Sequence, residues 1–468
     1  MLLRIALRKK SLKLTALTTA VALTLAPMVA LAQENRGPPV LRDAETEQLL
    51  RDYTRPILRA AGMEKQNIQM VIINQGVFNA FVADGRRIFV NYGAILQSET
   101  PNQIIGVMAH ETGHLAGGHL AKMREQMAQA QTQMIIAMLL GAGAIAAGAS
   151  SGGGNSGLAN AGAAMMSAPG EVIRRTLLSY VRQQEENADK AGVKFLTATG
   201  QSAKGMHETF KRLADQLLYQ TRYINPYMQS HPMPSERVAA LEGMAKASPY
   251  WDHKDPPALQ LRHDLVRAKL YGFLERADQV ARRYPPSDTS LPARYARAIA
   301  SYRFSEARGA LAQIDALIQA QPQNPYFYEL KGQALLEAGR PAEAVAPLRH
   351  AAQIAPNPAL IQIMLGQALV ATRDRGRLDE AVSILQAAVN REPESPEGYS
   401  QLAMAYGQKN DLARADLASA QAAFVRGDVK TAREIATRAK TRFPVGSPGW
   451  VKADDLASYK PPQSAWRN

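Results

Sequence analysis

The chain has 468 residues, is 46% hydrophobic and 21% charged, carries a formal net charge of +14 and contains no cysteine. That length suits two domains, each with its own core, and the missing cysteines exclude disulfides, thiolate metal sites and a thiol nucleophile. The basic balance favours contact with anionic envelope surfaces, but no basic cluster interleaved with aromatics points to nucleic acid.

Arg4, Arg8, Lys9, Lys10 and Lys13 precede an apolar stretch from Leu14 to Val29 that ends in Ala30, Leu31 and Ala32. This is the layout of a cleavable export signal over residues 1–32, which places the mature protein in the periplasm; an uncleaved anchor is the alternative. Alternation from Val77 to Val82 and again from Ile88 to Val90, about Asp84-Gly85, predicts two antiparallel strands. An exposed edge strand there would hold an extended substrate by main-chain hydrogen bonds, with Asn79 and Ala80 as its contacts. A purely structural hairpin is the other reading.

The next element is a helix. Thr100 and Gln103 are spaced as a capping box, Pro101 suits the first turn, and Ile104, Ile105, Val107 and Met108 supply an apolar face. His110 and His114 lie four positions apart with Glu111 beside the first. On a helix both rings can reach one Zn²⁺ while Glu111 points toward the metal's water. Gly117 fits the longer H-E-x-x-H-x-x-G-x-x-H pattern, but Leu120 stands where its last histidine belongs, which excludes that zinc class. His119 comes one residue early. If the helix continues, it reads as a polar surface residue or one that supports a ligand from behind.

Met134 to Ala149 is apolar for sixteen residues and runs into SSGGGNSG. It is short of the ~20 residues a spanning helix needs. The expectation is a buried helix or a mobile lid over about 128–169, with peripheral contact with a membrane as the alternative. Beyond it, Glu185 and Asp189 share a helix face with Arg182. The bland reading is a solvated charged face with an Arg182–Glu185 pair. Beside the histidines, Glu185 completes a His-His-Glu set with the fourth zinc position left to water.

HETGH followed by RQQEENAD resembles the gluzincin metallopeptidases related to CAAX prenyl proteases and HtpX. The stretch from Phe78 to Leu96 is similar to that family's N-A-F strand and its hairpin partner, and His231, Pro232 and Arg237 match its H-P-x-x-x-x-R. The resemblance covers roughly residues 45 to 245 and implies a zincin-type protease binding one Zn²⁺ through His110, His114 and Glu185. It assigns Glu111 the proton transfers, Asp189 the orientation of a ligating histidine, and His231 either oxyanion stabilisation or the open zinc position. Arg237 closes the catalytic group.

The composition changes after a linker at Ser248–Ala258. Tyr328, Gly332, Leu335, Ala344, Leu348, Ala351 and Pro356 have the spacing of a tetratricopeptide repeat. Gly366, Leu369, Ala381, Leu385, Ala388 and Pro393 repeat it after a slip of three in the turn. Tyr399, Ala403, Tyr406 and Ala415 begin a third, and Ala432, Ala436, Ala439 and Pro444 give a further half. The expected architecture is mainly α with a small β-hairpin sheet: a protease domain at 33–247, helical repeats at 259–445 forming an α-solenoid, and a tail at 446–468. The resemblance of both parts, in their order, implies a periplasmic metalloendopeptidase acting on unfolded or misassembled outer-membrane proteins. Its repeats would recruit those clients or the outer-membrane assembly machinery. A chaperone or scaffold with latent proteolysis, and a membrane-embedded metalloprotease, are the alternatives.

Overall fold

The computed structural model describes residues 39–150, 156–219, 225–304 and 307–461, with side chains of 141–174, 217–219 and 307–308 left out. The expected export signal lies outside the described residues. Helix α1 (Ala44–Ala60) opens on Asp43, whose side chain accepts from the Thr46 amide at 2.8 Å, and buries Leu49, Leu50, Tyr53 and Ile57. Strands β1 (Val40–Leu41), β2 (Gln69–Ile73), β3 (Ala80–Val82) and β4 (Arg87–Asn91) form a sheet in the order β1-β2-β4-β3.

The predicted hairpin exists but is shorter than expected, and it belongs to a larger sheet. β4 runs antiparallel to β3, with Ala80 opposite Val90, and parallel to β2, with Gln69 opposite Arg87. Val77 to Asn79 precede the strand. Asp84 closes the turn by accepting from the amides of Arg86 and Arg87, and Gly85 takes φ +77°, which its missing Cβ permits. β3 ends the sheet, so its outer side has no strand partner among the described residues.

After α2 (Tyr92–Gln97) comes the central helix α3 (Pro101–Gly117), buried along most of its length. Its capping box does not form, because Thr100 makes no side-chain cap bond. Gln103 reaches back to the Glu99 amide at 2.7 Å, and the first turn is capped from far away, Asp255 accepting from the Asn102 amide at 2.8 Å. Gly118, at φ +60°, stops the helix. α4 (His119–Ser150) then runs out and α5 (Ser156–Ala198) returns to cross α3, followed by α6 (Lys204–Tyr219), α7 (Pro226–Ser230) and α8 (Ser235–Lys246).

Two glycines set these crossings. A Cβ on Gly106 would lie 2.7 Å from the Met206 Cα, and one on Gly113 would lie 2.7 Å from the Ala188 carbonyl oxygen, so backbone meets backbone at both. The expectation of a buried helix at Met134–Ala149 does not hold for its described side chains: Ile135, Ile136, Leu139 and Leu140 are exposed. Among the described residues no helix is long and apolar enough to cross a membrane.

From α9 (Pro257–Leu274) through α10 (Ala277–Arg283), α11 (Leu291–Phe304), α12 (Ala307–Ala320), α13 (Pro325–Glu337), α14 (Pro341–Ile354), α15 (Ala359–Ala371), α16 (Leu378–Arg391), α17 (Pro396–Gln408), α18 (Leu412–Val425) and α19 (Val429–Arg442) the chain is helical. The stretch expected as a tail contains α20 (Pro448–Ser458). Gly332 faces Leu348 and Gly366 faces Leu385 in the same way, each glycine admitting the leucine of the paired helix. The slip of three between α15 and α16 is a 3₁₀ turn at Arg375–Arg377. α9 also enters the first core: Val266 and Leu270 pack there, and His263 bridges the Tyr53 hydroxyl at 3.1 Å and the Ser98 carbonyl at 2.8 Å.

Candidate metal centre

α3 carries His110 and His114 one turn apart, with the two Nε2 atoms 3.1 Å from each other. α5 brings Glu185 against both, its carboxylate 3.4 Å from His110 Nε2 and 3.3 Å from His114 Nε2. The loop after α7 adds His231, whose Nδ1 lies 3.4 Å from His110 Nε2 and 3.0 Å from the Glu185 carboxylate. One donor atom from each of these four residues lies within 4.8 Å of the others. A tetrahedral zinc with ~2.05 Å bonds needs donors about 3.3 Å apart, and the nitrogens and carboxylate meet that spacing. The donor set fits a zinc ion.

Glu111 sits behind the set and is fully buried. Its Oε1 is 3.4 Å from the Tyr227 hydroxyl and 3.5 Å from His231 Nε2, while its Oε2 has no hydrogen-bond partner. Burial raises its carboxyl above the ordinary range. Burial also pushes the His114 imidazole down, to about 3. For His110 burial acts in the same sense, but Asp189 and Glu185 outweigh it and lift the ring to about 9.

Asp189 and Arg237 form the support. Asp189 Oδ1 lies 2.9 Å from His110 Nδ1, and Arg237 binds both Asp189 oxygens, Nε at 2.7 Å and Nη2 at 2.9 Å. Arg237 Nη1 also reaches the Glu185 carboxylate and the Pro232 carbonyl, each at 2.9 Å. One guanidinium thereby fixes Glu185, the Asp189 beside His110 and the loop that carries His231. The bland alternative, a pair of Arg182 with Glu185, does not form: Arg182 is exposed, and the guanidinium against Glu185 is that of Arg237.

His119 corrects the surface half of its reading. It is 7% exposed, with Nδ1 2.9 Å from His114 Nδ1. The premise that the helix continues fails at Gly118, whose left-handed conformation turns His119 back behind His114. Two residues went unnoticed in the sequence. Tyr227 aims its hydroxyl at Glu111 and its ring lies 4.5 Å from that of His231, and Phe210 packs edge-on against His110 at 5.2 Å. Only the Asn225-Pro226 start of α7, with Asn225 capping the Tyr227 amide, marked that position as structured.

Asn79 and Ala80 lie where β3 begins, beside α3. The Ala80 side chain is buried, the Asn79 carbonyl accepts from the Asn91 amide at 2.9 Å, and the Asn79 side-chain oxygen is buried without a partner. Any contact with a peptide at Ala80 is therefore through main chain.

Residues 43–245 match peptidase family M48, and residues 295–358 and 335–403 match tetratricopeptide repeats. The beta-barrel assembly-enhancing protease of Escherichia coli (strain K12) is 24% identical over 422 residues, covering 87% of this chain and 82% of that protein. The protein of the same name from Yersinia pestis is 22% identical over 432 residues, covering 89% and 83%. A putative beta-barrel assembly-enhancing protease of Vibrio cholerae serotype O1 is 24% identical over 299 residues, covering 62% and 59%.

Proposed function

The chain is a metallopeptidase with a peptidase family M48 domain followed by tetratricopeptide repeats, and from that premise we propose a periplasmic zinc metalloendopeptidase that cleaves unfolded or misassembled outer-membrane proteins. The observation that carries the chemistry is the set of four clustered donors, three of them buried, with the unpartnered Glu111 oxygen beside it. The relatives' names, beta-barrel assembly-enhancing protease, support a role in β-barrel assembly, from which we infer the clients and the assembly machinery as partner. The export signal at 1–32 supplies the compartment.

His110, His114 and Glu185 would hold one zinc, which supplies Lewis acidity and lowers the pKa of water to about 7. Asp189, 2.9 Å from His110 Nδ1, would hold that ring with Nε2 free to bind the metal. Glu111 accepts a proton from the attacking water and passes it to the leaving amine, the role its buried position beside the donors suits. The edge of β3 would hold an extended segment of the client, which favours unfolded targets over compact ones. His231 lies with the donor set, where it would either occupy the metal's remaining position and keep the resting enzyme latent or stabilise the oxyanion.

The test is zinc content together with cleavage of an unfolded protein such as reduced, denatured casein. Wild type should hold one zinc and cleave; Glu111→Gln should hold the same zinc and not cleave. Full cleavage by Glu111→Gln would remove the mechanism. Clients held by a zinc-loaded wild type that never cuts them would make the protein a chaperone instead. His231→Ala should raise basal cleavage, whereas a fall of roughly 100-fold would make it an oxyanion donor.

A further inference from the structure

Helix α4 is built inside out. Between Ala121 and Leu140 no side chain is buried, and the half-buried ones are Met123, Gln126, Ala130 and Ala137, at the spacing of one helix face. Along this stretch α4 packs with α5, and near its base with α3. The seam is thus mostly of small or polar residues, while the large apolar ones point outward: Met134 is 39% exposed, Ile135 58%, Leu139 68% and Leu140 59%. At 100° per residue, Met134, Met138, Ile135, Leu139, Ile136 and Leu140 cover everything outside that seam. A helix in water shows the opposite arrangement, and one apolar on every side belongs in a core or in lipid. Small residues between helices with large apolar ones outside are the mark of helices packed in hydrocarbon.

Charge follows the same geometry. From Gln126 to Gly170 the sequence contains no Asp, Glu, Lys or Arg. At the base of the two helices stand the exposed bases Lys122, Arg124, Arg175 and Arg182 with the exposed acids Glu125 and Glu186, so the balance there is basic. Basic side chains flanking an uncharged apolar segment suit anionic lipid headgroups. A docking protein would need one apolar face, with polar residues on the others.

We propose that α4 from Met134 to Leu140 enters the hydrocarbon of an anionic bilayer without crossing it, the basic base resting at the headgroups. The inference goes beyond the proteolytic reading and does not depend on it. It has a consequence for that reading, because α4 starts directly after the helix of His110 and His114, and α5 carries Glu185. Insertion would hold the metal centre at the membrane surface.

The absence of cysteine makes a clean experiment. Leu139→Cys in the full chain, labelled with an environment-sensitive fluorophore, is mixed with phosphatidylglycerol–phosphatidylethanolamine vesicles, with labelled Lys430→Cys on α19 as control. The probe at 139 should brighten several-fold and be quenched by lipids brominated in the acyl chain; the control should do neither. Adding Lys122→Glu and Arg124→Glu should weaken the lipid response by about thirtyfold or more at low salt, from roughly 1 kcal/mol for each basic residue lost. Circular dichroism checks that each variant is folded. A probe that stays water-like with vesicles overturns the proposal. So does one that brightens without lipid as concentration rises, which would assign the surface to a second copy, or only with an unfolded polypeptide, which would assign it to clients.

Discussion

Gly113 is the residue whose enlargement should most directly uncouple the metal ligands. It lies within HETGH, and an added Cβ would sit 2.7 Å from the Ala188 carbonyl oxygen and 2.9 Å from its Cα. Carbon contacts are comfortable at about 3.5–4.0 Å, so α3 and α5 must part by roughly 0.8 Å. The obstruction is backbone and cannot rotate away. Ala188 is flanked on α5 by Asp189 and, one turn back, by Glu185, so the movement is applied where the third ligand and the partner of His110 are anchored. Overpacking of this kind costs about 1–3 kcal/mol, and misplaced support of a ligand costs ~10–100-fold in metal affinity. Gly113→Ala should therefore melt lower and bind zinc 10–100-fold more weakly in competition with a chromogenic chelator. Gly243→Ala on α8 is the control, since nothing lies within 4 Å of an added Cβ there. If Gly113→Ala binds zinc as tightly as wild type, the close crossing does not set the ligand geometry and the reasoning is wrong.

Arg237→Met should destabilise the fold by about 3–5 kcal/mol, because it leaves Asp189 and Glu185 as uncompensated buried charges; a chemical-denaturation midpoint unchanged from wild type would contradict this. Removal of zinc with a chelator should lower the melting temperature of wild type and of Glu111→Gln alike, since ligand and base are separate residues; equal melting of loaded and stripped protein would count against a metal held by the buried donors. Burial raises the carboxyls of Glu45 and Glu329 to about 7 despite Lys269 nearby. The folded protein then retains protons that the unfolded chain releases near 4.5, so stability should fall as pH rises from about 4.5 through 7, and less steeply in Glu45→Gln. Truncation after Asp255 should give an unstable protein although it keeps every metal ligand, whereas truncation after Glu275 should fold better; proteolysis-resistant protein from the shorter form would refute the assignment of α9 to the first core.

Local pattern made some features readable and nonlocal packing hid others. The helix of His110 and His114 announces itself by apolar spacing and Pro101, and the repeats by small residues such as Gly332 and Gly366, since each of these signals lies within a few turns. The placement of His119 was not readable, because it depends on one φ at Gly118. Nor was the guanidinium against Glu185: Arg182 is near in sequence, but Arg237 arrives from a separate helix with far better geometry. The sheet was underestimated because Met70–Ile73, a short apolar run with no turn linking it to β4, reads equally as helix or strand. The capping of α3 by Asp255 joins residues 153 positions apart, beyond any local rule.

α9 explains why the two halves need not behave as separable modules. Its Lys269 is buried and lies 2.5 Å from Asp43, which caps α1 of the catalytic half, and 3.4 Å from Glu329 on α13 of the repeats. Glu45, the second residue of α1, accepts from the Tyr295 hydroxyl of α11 at 3.0 Å. A buried ion network contributes little net stability when intact but is costly to break, so separating the halves would expose three carboxylates and an ammonium to mismatched surroundings. On the other side of α1, Ala44 packs with Ala351 and Ile361 of the repeats, and Arg42 pairs with Glu392 at 3.1 Å. The start of α1 is thus clasped by four repeat helices while its far side carries the wall of the metal site's core. Through α1 and α9, which both pack on α3, the repeats are joined to the helix that holds His110 and His114.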